Sequence, residues 1–82
     1  MPYITKARRF SIDVMGETPA TKGELTYSFY LLALRYVKFK GKSFDTLGDV
    51  VAALEQAKDE FQRRIIHPYE DKKISENGDV IV

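Results

Sequence analysis

Cysteine is absent from the 82-residue chain, and histidine occurs once, as His67. Without cysteine there is no disulfide, no thiolate nucleophile and no cysteine zinc site, and a lone histidine excludes a histidine cluster. A chain this short has room for one hydrophobic core, so residues 1–82 are expected to form a single helical domain. Chains below roughly 80 residues often depend on a disulfide, a metal or a partner subunit. With the first two supports removed, association with copies of itself is what remains.

Long apolar runs are missing too. The opening Met1-Pro2-Tyr3-Ile4-Thr5-Lys6 has no apolar stretch of the signal-peptide kind. Nothing approaches the roughly 18 consecutive apolar residues of a membrane span, so a cytoplasmic protein without a membrane partner is expected. The formal charge of +1 argues against a protein dominated by nucleic-acid electrostatics. Its distribution is uneven: residues 1–42 hold eight Lys/Arg against three Asp/Glu, and residues 43–82 hold five against nine. A basic half and an acidic half can meet within one subunit or between subunits.

What is present reads as helix. Thr5 can cap a short helix through Lys6–Phe10 that carries Ala7, Phe10 and Val14 on one face, before a loop at Gly16-Glu17-Thr18-Pro19. Thr21-Lys22-Gly23-Glu24 matches a capping box, in which the Thr21 hydroxyl accepts from the Glu24 amide and the Glu24 carboxylate returns to the Thr21 amide. Eleven of the fifteen residues from Leu25 to Phe39 are apolar, too many for one stripe. Leu25, Phe29, Leu32 and Tyr36 share one face, and Tyr27, Tyr30, Leu34 and Val37 share another. A helix apolar on two faces needs cover on two sides, and the second set is the expected subunit interface. Gly41 should stop this helix, with Lys38, Lys40 and Lys42 opposing its dipole.

Three caps crowd together at Ser43-Phe44-Asp45-Thr46, and the start of the next helix stays open by a turn. Leu47, Val50 or Val51, Leu54, Ala57, Phe61 and Ile65 then recur at three- and four-residue steps. Ala52, Ala53 and Ala57 permit close approach, so this helix and its predecessor are expected to form an antiparallel pair. At His67-Pro68 the helix should end or kink, because proline lacks an amide and disfavours helix before it. A new helix can begin at Pro68 and stop at Asn77-Gly78, leaving the β-prone Val80-Ile81-Val82 as a short C-terminal strand. The fold class that follows is all-α: a small helical bundle around a long antiparallel pair, completed by homo-oligomerisation.

The chain resembles a family of small uncharacterised proteins of bacteria and their phages. The resemblance rests on Met1-Pro2-Tyr3-Ile4, on Gly23-Glu24-Leu25-Thr26-Tyr27, on Ala53–Phe61 with Arg63-Arg64, and most distinctively on Pro68-Tyr69-Glu70-Asp71-Lys72-Lys73-Ile74 with Glu76-Asn77-Gly78-Asp79-Val80. It implies a mostly helical domain and supplies no catalytic residue.

Three function classes remain. The preferred one is a non-catalytic interaction module, most simply a homodimer, that requires no cofactor. The second is a metal-dependent enzyme like the nucleotide pyrophosphohydrolases. Glu55 and Asp59, one helical turn apart, are its candidate metal ligands, but no E-x-x-E helix faces them. Solvated carboxylates paired with Lys58, Arg63 and Arg64 are the plainer reading. The third is a nucleic-acid-binding accessory protein using Arg8-Arg9, Lys38/Lys40/Lys42 and Arg63-Arg64, with Tyr3, Phe10 or Tyr36 for stacking. No recognised motif accompanies those clusters, and the acidic half would repel phosphate. Histidine is by type a candidate general base, yet no partner is tied to His67 by sequence, and a helix-terminating role is favoured.

Overall fold

The computed structural model describes residues 3–80. Among them are α1 (Lys6–Asp13), α2 (Lys22–Lys40), α3 (Phe44–Phe61), a π-helical turn (Gln62–Ile66) and α4 (His67–Asn77), and no strand. The chain is therefore all-α. It divides into two compact units, Met1–Val50 and Val51–Val82.

Thr5 caps α1 as expected, its Oγ1 accepting from the Arg8 amide at 3.2 Å. The helix then continues past Phe10 through Ser11, Ile12 and Asp13, all weak helix formers. Packing outweighs propensity here, because Ile12 is the buried apolar residue of α1. Phe10 and Val14, the expected contact residues, are exposed. The face that α1 lays against α2 is instead the one bearing half-buried Arg8 and Ser11 together with Ile12. Beyond it, the Glu17 amide donates to the Ser11 carbonyl at 3.1 Å, a closure that needs the left-handed φ of 67° at Gly16.

The Thr21 cap of α2 also forms, with Oγ1 accepting from the Glu24 amide at 3.1 Å. The second half of the box differs from expectation. The Glu24 carboxylate accepts from the Ala20 amide at 2.9 Å rather than from Thr21, because the same oxygen also binds Arg8 of α1. Gly41 stops α2 with a φ of 91°, its amide donating to the Val37 carbonyl at 2.8 Å.

Of the three caps crowded before α3, Ser43 is the one used. Its Oγ accepts from the Thr46 amide at 3.1 Å and donates to Thr46 Oγ1 at 3.0 Å, which satisfies a threonine that is itself buried. Pro68 does not end the helix that follows. Phe61, Ile66 and His67 all keep right-handed helical dihedrals, and the His67 amide donates to the Gln62 carbonyl five residues back. A π turn widens the backbone by one residue just where the proline ring would collide with the carbonyl four residues earlier. His67 accordingly sits inside continuous helix rather than terminating it. Helix α4 stops at Gly78, whose amide donates to Ile74. Val80 is exposed in a bend, and the rest of the expected strand, Ile81 and Val82, lies outside the described residues.

Candidate interaction surface

The tightest contact between elements in residues 3–50 is ionic. Arg8 reaches Glu17 Oε2 through Nη1 and Glu24 Oε1 through Nη2, both at 2.6 Å. Glu24 is only 7% exposed, so its charge leaves water with two donors in place, Arg8 and the Ala20 amide, while the Thr21 hydroxyl accepts from its backbone amide. Hydrogen bonding to Arg8, seconded by the Ala20 amide, holds the Glu24 carboxyl below its usual pKa against the opposing effect of burial. Arg8 is correspondingly held more firmly protonated by Glu24 and then Glu17. At the other end of α1, Arg35 clamps the C-terminus by binding the Asp13 carbonyl and carboxylate at 3.2 and 3.1 Å. This network was not foreseen. The trace of it in the sequence is a capping-box glutamate with an arginine available on the preceding helix.

The face of α2 turned to α1 is thus Glu24, Tyr27, Ser28, Leu31 and Arg35, spaced by three and four residues and mostly polar or small. Ser28 keeps its hydroxyl satisfied on the Glu24 carbonyl at 3.0 Å. The two apolar stripes flank this face, one on each side. Leu25, Phe29, Leu32 and Tyr36, the stripe left for cover within the subunit once the other is assigned to the interface, are all exposed, Leu32 at 67%. In the stripe expected to form the interface, Tyr30 and Leu34 are exposed and Tyr27 and Val37 half-buried.

Helix α3 repeats the pattern. In its first turns the covered residues are Thr46 and Val50, and Asp49 accepts from the Tyr36 hydroxyl of α2 at 3.1 Å. That bond raises the Tyr36 pKa. Leu47, two residues before Asp49 and so on the other side of the helix, is exposed, as are Val51, Leu54, Phe61 and Ile65 in its row. Ala52, Ala53 and Ala57 are exposed as well. From Val51 to Val80 every described residue is exposed. The apolar core in residues 3–80 reduces to Ile12, and one buried side chain contributes only about 1.5–3 kcal/mol.

The charged candidates are mostly engaged with neighbours on their own helix. Glu55 accepts from Lys58 Nζ at 2.8 Å, which raises the Lys58 pKa. Glu60 takes Arg64 at 2.6 Å and Arg63 at 3.2 Å and is held below its usual pKa by them in that order. No three acidic or histidine side chains converge on a point among the described residues, so Glu55 and Asp59 have no third ligand there. Arg8, Arg63 and Arg64 of the basic clusters are occupied by carboxylates, whereas Lys38, Lys40 and Lys42 make no ion pair among the described residues. An open groove of about 380 Å³ follows α4 past Tyr69, Lys73, Ile74 and Val80, with Lys73 Nζ 5.6 Å from the Tyr69 ring centre. No helix among the described residues is long and apolar enough to cross a membrane.

A family model described as a domain of unknown function, DUF6899, matches residues 1–80. The chain belongs to this family. The match takes in every helix described above, including the paired Arg8 and Glu24 and both stripes of α2. No curated protein and no solved structure matches the chain.

Proposed function

We propose that this member of DUF6899 is a non-catalytic interaction module that works as a homo-oligomer, most simply a two-fold dimer, in the cytoplasm of a bacterium or of a phage-infected cell. The observation that carries the reading is the exposure of Leu25, Phe29, Leu32 and Tyr36 on one stripe of α2 and of Tyr30 and Leu34 on the other, with Ile12 the one buried apolar residue among the described residues. Apolar surface on this scale marks a face that another protein covers. Closed two-fold assembly is the commonest way for a small chain to cover it with a copy of itself. Tyr27, Tyr30, Leu34 and Val37 form the face assigned to the two-fold contact, and its tyrosines suit an interface that is apolar at the centre and wet at the rim. Sedimentation equilibrium at micromolar concentration tests the reading. A species of twice the 9.4 kDa chain mass or more is expected, and a single species at the chain mass refutes it.

A further inference from the structure

The helix that runs from Val51 to Asn77 lies within one compact unit, and all of its residues are exposed. Leu54 and Phe61 are seven residues apart and so stand within about 20° of one another around it, with Ala57 between them on the same face. In an unbroken α-helix Tyr69, eight residues past Phe61, would stand about 80° away. The π turn over Gln62–Ile66 absorbs one residue, so Tyr69 returns to within about 20° of Phe61, and Ile65 falls between them. The turn that accommodates Pro68 therefore also carries one apolar seam, made by Leu54, Ala57, Phe61, Ile65 and Tyr69, from α3 into α4.

The charges beside this seam are self-complementary. Glu60 precedes Phe61 by one residue and Lys72 follows Tyr69 by three, which puts both on one flank, roughly a quarter-turn from the seam. Lys58, three before Phe61, and Glu70, one after Tyr69, lie on the other flank. Each flank thus holds one charge of each sign, on opposite sides of Ile65. Glu70 and Lys72 make no ion pair among the described residues. Lys58 and Glu60 hold exposed partners on their own helix, which are exchanged at little cost.

Where two copies of a helix pair antiparallel about a two-fold axis, each flank meets the same flank of the other copy. With the axis at Ile65, Phe61 faces Tyr69 of the second copy. Glu60 then meets Lys72 of the second copy and Lys58 meets its Glu70, each within about 3 Å of level along the helix. All four ion pairs of the joint are attractive. Lys73 and Glu76 continue the row past Tyr69, and a parallel pairing in register would set each against its own like charge. The antiparallel one sets Lys73 beside Ala57, whose small side chain leaves room for the lysine stem.

We propose that the segment from Leu54 to Lys72 of one copy lies antiparallel on the same segment of a second copy, with Ile65 at the two-fold axis. This rests on the self-association proposed above and gives it a contact in the second compact unit, separate from the Tyr30 and Leu34 face of α2. Charge matching of this kind fixes the partner and its direction more than it adds affinity.

Two full-length single-cysteine variants, F61C and Y69C, test it in a protein with no other cysteine. Mixed in equal amounts in a glutathione redox buffer, they are expected to form mainly the mixed disulfide between positions 61 and 69, identified by mass. The second contact of Phe61 with Tyr69 in that pair stays intact. Self-linked F61C and self-linked Y69C in place of the mixed dimer overturn the antiparallel direction. Adding K58E/K72E to both chains should lower the mixed disulfide roughly tenfold at low salt, and K58E/K72E on one chain with E60K/E70K on the other should restore it. A yield indifferent to these charges overturns the register. An unmodified chain that is dimeric in sedimentation, with no mixed disulfide from the variants, overturns this contact and leaves self-association standing. A monomeric unmodified chain overturns both.

Discussion

Arg8 Nη2 and Glu24 Oε1 stand 2.6 Å apart across the contact between α1 and α2, on a carboxylate that is otherwise shut away from water. A buried charge is tolerated only when it is paired and hydrogen-bonded, and breaking one partner away leaves the other exposed to the full desolvation penalty. Glu24 therefore joins three local structures at once: the end of the loop at Ala20, the cap of α2 and the seat of α1. With buried Ile12 and the Arg35 clamp on Asp13, this pair seats α1 on α2.

Replacing Glu24 by Gln keeps the shape and removes the charge. It should lower the melting temperature more than replacement of any exposed carboxylate, such as Glu55→Gln. Arg8→Met should do likewise, and the double variant should recover part of the loss, since no unpaired charge then remains buried. Thermal denaturation followed at 222 nm measures all three, and equal melting points for E24Q and E55Q would contradict the assignment.

The same pair sets an acid limit. Glu24 has a lowered carboxyl pKa in the folded state, so folding binds fewer protons there than the unfolded chain does. Its stabilisation is complete above the unfolded carboxylate value of about 4.3 and is lost as pH falls through the lower folded value. Denaturant titrations between neutral and acid pH should show this fall, and E24Q should flatten it. Glu60 shifts in the same direction but is exposed, so its share should vanish at high salt.

Serine 43 caps α3, and Ser43→Ala removes the acceptor for the Thr46 amide while stranding the buried Thr46 hydroxyl. A loss of about 1 kcal/mol is expected from the cap. Ser43→Asp, which keeps an acceptor beside the positive helix end, should retain most of it. Chemical denaturation of the two variants side by side distinguishes them.

Pro68→Ala restores an amide and removes the ring that forces the π turn. The segment Gln62–Ile66 should tighten to ordinary α-helix with a gain of up to about 3 kcal/mol in local helix stability. Amide hydrogen exchange from Phe61 to Tyr69 should slow. Unchanged exchange would mean that the π turn has another cause.

Leu34→Asp and Leu32→Asp should act alike, because both residues lie on exposed stripes of α2. Each is expected to split the assembly, since a carboxylate buried without a partner in an interface costs several kcal/mol. Circular dichroism and sedimentation read folding and assembly separately. Unfolding by L32D alone would return Leu32 to the core of the subunit.

The helices and their punctuation were legible in the residues because they are local: Thr5, Thr21 and Ser43 reach amides three positions on, and Gly41 and Gly78 stop the chain that precedes them. The two apolar stripes of α2 were legible for the same reason, as helical periodicity. What α1 covers was not. Ile12 and Arg8 face α2 while Phe10 and Val14 face water, because the seat on α2 is the small, polar face between the stripes, and a buried ion pair set the choice. The passage of helix through Pro68 was decided in three dimensions too, since of the end or kink that the proline implies, the chain takes neither a break nor a cap but a π turn with one extra residue that removes the clash. Periodicity marks the faces of a helix that need cover. Which face receives it depends on contacts between residues far apart in sequence, and only the folded chain supplies those.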